Sequence, residues 1–422
     1  MPLSLLSGAF LPDLIVSVLS ITFIIYSLIE KEWKYFKNTF FYLFIMFYIY
    51  LLINSLLSHD RINSLESSLF YFRFGIFSLA VWFLIDNNKH FLKYSSIIFL
   101  ITFLIAVIDG YYQFYHDVNL LGIHYPGVRM TLLFNDKLVM GSYIARLFPL
   151  IIALFLLQAT IYKFNKYLFT LLFGVMLIST DVLVYISGER TAFGLLFLFT
   201  IYIIIFISKF RTLRIITFLI SILFIVLLTI YNSDVRDRNI EQTFEQITEN
   251  NTKNEFSESK LNLFSSQHES HYITSWNMFK KNPIFGLGVN SFRIFCENED
   301  YNHDNLSCST HPHNSYLQIL AETGIVGISF ILFMLIFLIL EIFKIISSDL
   351  KNKKRHIEDY QICLIGCFLI TLWPLLPTQN FFNNWINVVY YLPVGFYLHA
   401  INNIHAYENS NNINENNLRD KY

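Results

Sequence analysis

The chain has 422 residues, of which 55% are hydrophobic, 18% aromatic and 14% charged, with a formal net charge of −1. Soluble domains carry about 25% charged residues, and so few charges cannot solvate a mean hydropathy of +0.48. The composition excludes a soluble enzyme, a disordered chain and a nucleic-acid binder, and reads as an all-α polytopic membrane protein.

Apolar runs of about 17–22 residues recur from end to end, and because they are continuous rather than alternating they predict helices, not barrel strands. In chain order they fall near 9–29, 38–57, 68–86, 92–109, 138–158, 167–186, 191–208 and 214–231, then 325–346, 359–377 and 386–401. This predicts about eleven transmembrane helices, each able to cross a hydrocarbon core of ~30 Å. Residues 1–231 hold the first eight, with a first extracytoplasmic loop near 110–137. One large extracytoplasmic loop, containing short helices, occupies 232–324, and three helices follow in 325–401. The tail 402–422, rich in Asn and Glu, reads as disordered.

Basic residues mark one set of connections: Lys31, Lys34, Lys37; Lys89, Lys93; Lys163, Lys166; Lys209, Arg211, Arg214; and Lys344, Lys351, Lys353, Lys354, Arg355. The alternate set holds little more than Arg61, Arg129, Lys137 and Arg190. The positive-inside rule puts the first set in the cytoplasm, the N-terminus outside and the tail inside. A loop as long as 232–324 inside a helical bundle is a candidate for function. Cys296 and Cys308 both lie in it, where oxidising conditions permit a disulfide. Cys363 and Cys367 sit one helical turn apart within a span and read as buried packing residues.

Three segments carry the candidate chemistry. The first, Gly127 to Pro149, places Arg129 in an outer loop and Arg146 inside a span. An intramembrane Arg is either functional or the partner of a buried acid, here Asp109 or Asp181. The second, SGERTAFG from Ser187 to Gly194, is a very short outer turn that holds Arg190 at the membrane interface. A guanidinium there either anchors the helix or grips a lipid pyrophosphate. The third is THPHNSYLQILAETGIVG, from Thr310 to Gly327. Leu317, Leu320, Ala321 and Gly324 share one helical face, so an amphipathic helix begins near His313 and runs into the ninth span. Pro312 suits its start. His311, His313 and Asn314 then sit at a helix N-terminus, which attracts anions, and His is suited to proton transfer. The bland alternative is a loop-to-helix junction with exposed histidines. His303, Cys308, His311 and His313 lie close together but match no standard zinc spacing, and a disulfide would consume the thiol, so no metal is expected.

At these residues the sequence resembles the O-antigen ligase and O-antigen polymerase superfamily of bacterial membrane glycosyltransferases. HPHNSYLQILAETGIVG is similar to its His-Asn helix motif and the Glu-x-Gly-x-x-Gly that leads into a span. SWNMFKKNPIFGLGVNSFR is similar to its Asn-Pro, apolar pair, Gly-x-Gly, Phe segment, here Asn282, Pro283, Gly286, Gly288 and Phe292. SGERTAFG resembles its Ser-x-x-Arg-Thr-Ala turn, and FNDKLVMGSYIARLFPL its first-loop region. The resemblance covers about 130 to 420, and the earlier helices by hydropathy only. The family often places an Arg about fifteen residues before the Pro of the Asn-Pro segment; here that position is His268, with His271 close by.

The resemblance implies a donor glycan on a polyprenyl pyrophosphate and transfer to a sugar hydroxyl of lipid A-core or of a second lipid-linked glycan. No metal or other cofactor is implied. It also implies a bacterial inner-membrane protein, multi-pass, with the large loop periplasmic and membrane lipids around it. A leaving pyrophosphate needs cations, which assigns Arg190 and a second cation, Arg129 or Arg293, with His268 and His271 nearby. The acceptor hydroxyl needs a base, which assigns His313, with Asn314 or Glu322 to orient it and His311 as the runner-up. Direct displacement inverts the anomeric carbon. A protein O-glycosyltransferase of the same superfamily and a solute transporter are the alternatives. A transporter should carry polar or broken helices at the midplane, whereas these spans are mostly Leu, Ile and Phe.

Overall fold

The structure, a computed structural model, describes residues 1–88, 90–124, 129–134, 138–161, 165–248, 264–350 and 357–419. Of the basic residues used for orientation, Lys89, Lys137, Lys163, Lys351, Lys353, Lys354 and Arg355 lie outside the described residues. In chain order the helices are α1 (Pro2–Leu6), α2 (Phe10–Glu30), α3 (Thr39–Leu57), α4 (Arg61–Ser68), α5 (Phe72–Asn87), α6 (Phe91–His116), α7 (Met140–Ile161), α8 (Lys166–Ile186) and α9 (Arg190–Phe206). They continue as α10 (Arg211–Tyr231), α11 (Ser233–Arg236), α12 (Gln242–Thr248), α13 (Ser266–Lys281), α14 (Phe292–Phe295), α15 (Ser315–Leu350), α16 (Asp359–Thr371) and α17 (Asn384–Arg419).

Among the described residues eight helices are long and apolar enough to cross a membrane: α2, α3, the stretch Arg61–Asn87 that includes α5, α6, α7, α8, α10 and α15. The chain is a multi-pass membrane protein. Helices α9 and α16 are apolar but shorter, and α17 is not among the eight. The expected eleven therefore reduces to eight by this measure. Helix α17 also continues to Arg419, through the stretch expected to be a disordered tail. Residues 402–419 contain neither Gly nor Pro, so no residue there forces the helix to stop.

Helix α6 likewise overruns its predicted end. It passes Gly110 and stops at His116, where Asp117 takes a left-handed φ of 59°. Gly110 is tolerated because a side chain there would strike Met140 and Leu183. The close approach packs α6 against α7, whose side chains are buried along most of its length.

Buried polar groups tie the helices together. Asp181 of α8 accepts two hydrogen bonds of 2.8 Å from Arg214 of α10 and one of 2.8 Å from Ser221. A bidentate pair buried inside the helix bundle is retained because breaking it strands a charge. Asp109 instead accepts from the backbone of Leu120 at 2.7 Å. Neither acid is therefore the partner of Arg146, whose guanidinium lies over the Tyr390 ring at 5.4 Å. Cys363 and Cys367 are free and buried, as packing residues should be.

Candidate functional site

The site forms where three polar segments converge at one end of the bundle. Helix α13 starts with Ser265 as its cap, the hydroxyl accepting from His268 N. It packs on the first turns of α15, which Asn314 caps by accepting from Tyr316 N at 3.0 Å and Leu317 N at 3.1 Å. At Gly324, φ 64°, α15 bends sharply. The bend receives the Asn282–Ser291 loop: Leu287 N donates to Ala321 O at 3.1 Å, Gly288 N to Glu322 O at 2.8 Å and Ile325 N to Pro283 O at 2.8 Å. Gly286 and Gly324 face each other's segments so closely that a Cβ at either would run into backbone. This explains the Gly-x-Gly and Glu-x-Gly motifs physically: both serve one backbone-to-backbone junction.

Glu322 belongs to that junction. It is buried, and its carboxylate accepts from Asn290 N and Phe292 N at 3.0 Å each and from Gln318 Nε2 at 3.2 Å. Asn314, besides capping α15, donates to Pro374 O at 3.2 Å. Neither side chain bonds the His313 ring; the neighbour at 3.3 Å from its Nε2 is the Ser309 hydroxyl.

His313 is the centre of four histidines. Its ring centroid lies 4.1 Å from that of His311, 5.2 Å from His268 and 5.5 Å from His271. His268 and His271 come from one face of α13. The His313 backbone is left-handed, φ 56°, which is unusual for a residue with a Cβ and marks a constrained position. The constraint has an identifiable source. Thr378 N donates to His313 O at 2.8 Å, and Thr378 Oγ1 accepts from Ser315 N at 2.7 Å. Thr378 O meets His311 Nε2 at 3.3 Å, so that nitrogen carries the proton and His311 Nδ1 accepts from Thr310 Oγ1 at 3.0 Å. His271 is fully buried, and neither ring nitrogen makes a well-aligned hydrogen bond, although the Leu306 and Cys308 backbone lies close.

Burial pushes all four histidines down, and each other's charge adds to it for His268, His311 and His313. His268 falls to about 4, His311 to about 4 and His313 to about 3, with Arg129 pressing on His268 and His313 and Arg293 on His311. His271 is lowered too. The cluster is therefore neutral at neutral pH. The stability consequence has a definite sign. Above the ordinary value of about 6.5 both folded and unfolded chains are neutral, and nothing changes with pH. Below it the unfolded chain takes up protons that the folded cluster refuses, so stability falls until the pH passes the folded values near 4 and 3. The unfolding midpoint in detergent should drop as pH falls from about 6.5 to about 4.5, and drop less in His268→Asn/His311→Asn. A midpoint that stays level in the natural chain would mean that the cluster titrates normally.

Two arginines flank the cluster. Arg190 opens α9 and donates to Thr243 Oγ1 at 2.6 Å and Gln246 Oε1 at 2.8 Å, both neutral. Its turn is held from outside by Arg238, which donates to Gly188 O at 3.1 Å. Met130 N donates to Ser187 O at 3.2 Å, which sets Arg129 beside the same turn. The charge of Arg129 reaches Arg190, Glu189, His268 and His313. Glu189 is occupied elsewhere: it is buried and caps α7, accepting from Gly141 N at 2.6 Å and from Ser142 N and Oγ at 3.1 and 2.7 Å. Among the described residues neither Arg129 nor Arg190 forms a salt bridge. Arg293 is exposed on α14, and its charge reaches His311 and Glu322.

The structure thus brings His313, His311, His268, His271, Arg129 and Arg190 together, with Arg293 beside His311. Asn314 and Glu322 lie behind them as framework. Cys296 and Cys308 are joined, their Cα atoms 5.1 Å apart, closing the loop that leads to the histidines. Among the described residues no group of three or more His, Cys, Asp or Glu stands in metal-holding geometry. Sequence reasoning missed Thr378, Thr243 and Gln246; Pro374 and Pro377 just before the polar Thr378 were the one local sign of a rigid loop there. No curated protein matches the chain. Residues 173–332, which run from α8 through the site into α15, match the family described as O-Antigen ligase, and this match supports the chain's place in the O-antigen ligase/polymerase superfamily.

Proposed function

We propose that the protein is a glycosyltransferase that moves a glycan from a polyprenyl-pyrophosphate donor to a sugar hydroxyl at the outer face of the bacterial inner membrane. The acceptor is lipid A-core or a second lipid-linked glycan, and the large loop is periplasmic. One observation carries the reading: a cluster of neutral histidines centred on His313 lies within reach of the charges of Arg129 and Arg190, neither of which forms a salt bridge among the described residues. That is the pairing an acid–base displacement with an anionic leaving group needs. The acceptor oxygen attacks the anomeric carbon, its proton passes to His313, and the bond from that carbon to the pyrophosphate oxygen breaks. Polyprenyl pyrophosphate leaves on Arg190 and Arg129, and the anomeric carbon inverts. The family resemblance supports the donor and the absence of a metal requirement.

The test is transfer in proteoliposomes loaded with a polyprenyl-pyrophosphate glycan and, separately, lipid A-core or a second lipid-linked glycan. Free polyprenyl pyrophosphate should appear in step with the glycosylated acceptor, with or without EDTA. The acceptor that supports release tells ligase from polymerase. No release with either acceptor, from folded protein, would end this reading.

A further inference from the structure

We propose that the loop Pro283–Phe285, with the Ile273 and Trp276 face of α13, is a wedge that docks into the lipid on the loop-bearing side of the membrane. The sequence places three large side chains where water would meet them: Trp276 is 47% exposed, Ile284 56% and Phe285 45%. Scattered exposed apolar residues are ordinary. These are different because their depth is fixed by two spanning helices. On one side Ile325 N donates to Pro283 O at 2.8 Å, and Ile325 starts the apolar run of α15 beyond the bend. On the other, Asn54 Nδ2 donates to Phe285 O at 2.5 Å. Asn54 lies within α3, three residues before its end at Leu57, or about 4.5 Å along the axis. The loop therefore sits level with the last turn of one span and the first turn of another.

The neighbours on those spans are exposed too: Leu56, Leu57 and Ile325. Together with Ile284 and Phe285 they form one apolar rim. An apolar rim at the ends of spanning helices belongs to lipid, and water there would leave it unsolvated. Higher up, Ile273 and Trp276 are on one face of α13, and Lys280 and Lys281 close the helix. A Trp at headgroup depth followed by basic residues is the pattern of an interfacial helix. The same α13 carries His268 and His271 on its inner face. The wedge accordingly sets the height of the histidine cluster against the membrane surface.

The experiment needs no activity, so it stands apart from the proposed reaction. Cys296 and Cys308 are joined and Cys363 and Cys367 are buried, so an introduced cysteine is the reactive thiol. Spin labels are placed by Ile284→Cys, Phe285→Cys and Asn298→Cys in the full chain in phospholipid nanodiscs. Labels at 284 and 285 should be relaxed by oxygen and shielded from a water-soluble nickel chelate, with the reverse at exposed position 298. Nickel access at 284 and 285 equal to that at 298 would overturn the proposal. Poor access to both reagents would overturn it too, because it would put a protein surface, such as a second copy, on the rim. Should a labelled variant fail to fold, quenching by brominated acyl chains replaces it. The quenched share of the natural chain's tryptophan emission should fall in Trp276→Phe, and an unchanged share would count against the wedge.

Discussion

His313→Ala loses turnover by roughly 10²–10⁴-fold while donor binding survives, the loss expected when a general base is removed from a reaction that still has its electrostatic clamp. The argument for His313 over its neighbours lies in the ring nitrogens. His311 has both in use: Nε2 donates to a carbonyl that can only accept, and Nδ1 accepts from Thr310. His271 is sealed in the interior against Phe292. His313 has the Ser309 hydroxyl at one nitrogen and no hydrogen bond at the other among the described residues. Of these three rings it is the one free to take a proton, and burial beside the other three histidines keeps it unprotonated at neutral pH. His311→Ala should therefore cost much less in turnover than His313→Ala. The comparison is made in membranes at matched protein levels, with donor affinity measured separately. Near-normal transfer by His313→Ala would move the base to His268, whose ring makes no hydrogen bond among the described residues, or remove the acid–base account.

Much of this architecture was legible because hydropathy is a local property. Every helix that spans was an apolar run in the sequence. What hydropathy misjudged were ends: Gly110 did not end α6, because Met140 and Leu183 close on it, and α16 stopped at Thr371, before its apolar run did. The start of α15 was legible to within two residues, since the helix expected near His313 begins at Ser315 behind an Asn314 cap. The site was not legible where the partner lies far away in sequence. Thr378 grips His311 and His313 from 65 or more positions downstream, and nothing local announces that. Glu322 and Asn314 were read as orienting groups because they stand in the motif. The structure spends them on backbone amides and a helix start, since a buried carboxylate or helix end needs several partners at once. The left-handed φ of His313 has no signature in sequence either.

Removing the arginines separates binding from chemistry. Arg190→Ala and Arg129→Ala should each weaken donor binding as well as turnover, by on the order of 10²–10³-fold in kcat/KM if each holds one phosphoryl group. The two charges sit close together and the partners of Arg190 are neutral, so without an anion they repel each other, by more than the Glu189 carboxylate near Arg129 offsets. Taking one away relieves that repulsion. Arg129→Ala should thus raise the unfolding midpoint while it lowers affinity, the trade expected where a site is strained for function. Arg190→Lys should recover only part of the loss, because an ammonium keeps the charge but not the planar fork. The pair also predicts a pH effect. Arg129 is one of the charges that hold His313 down to about 3. A bound pyrophosphate neutralises it, so the His313 proton should be held more tightly in the complex. The acid limb of kcat should then lie at higher pH than the acid limb of kcat/KM, which reports the free enzyme. In Arg129→Ala the two limbs should draw together. Two coincident limbs in the natural chain, or a midpoint lowered by Arg129→Ala, would mean that Arg129 supports the fold and that the second cation must be sought at Arg293.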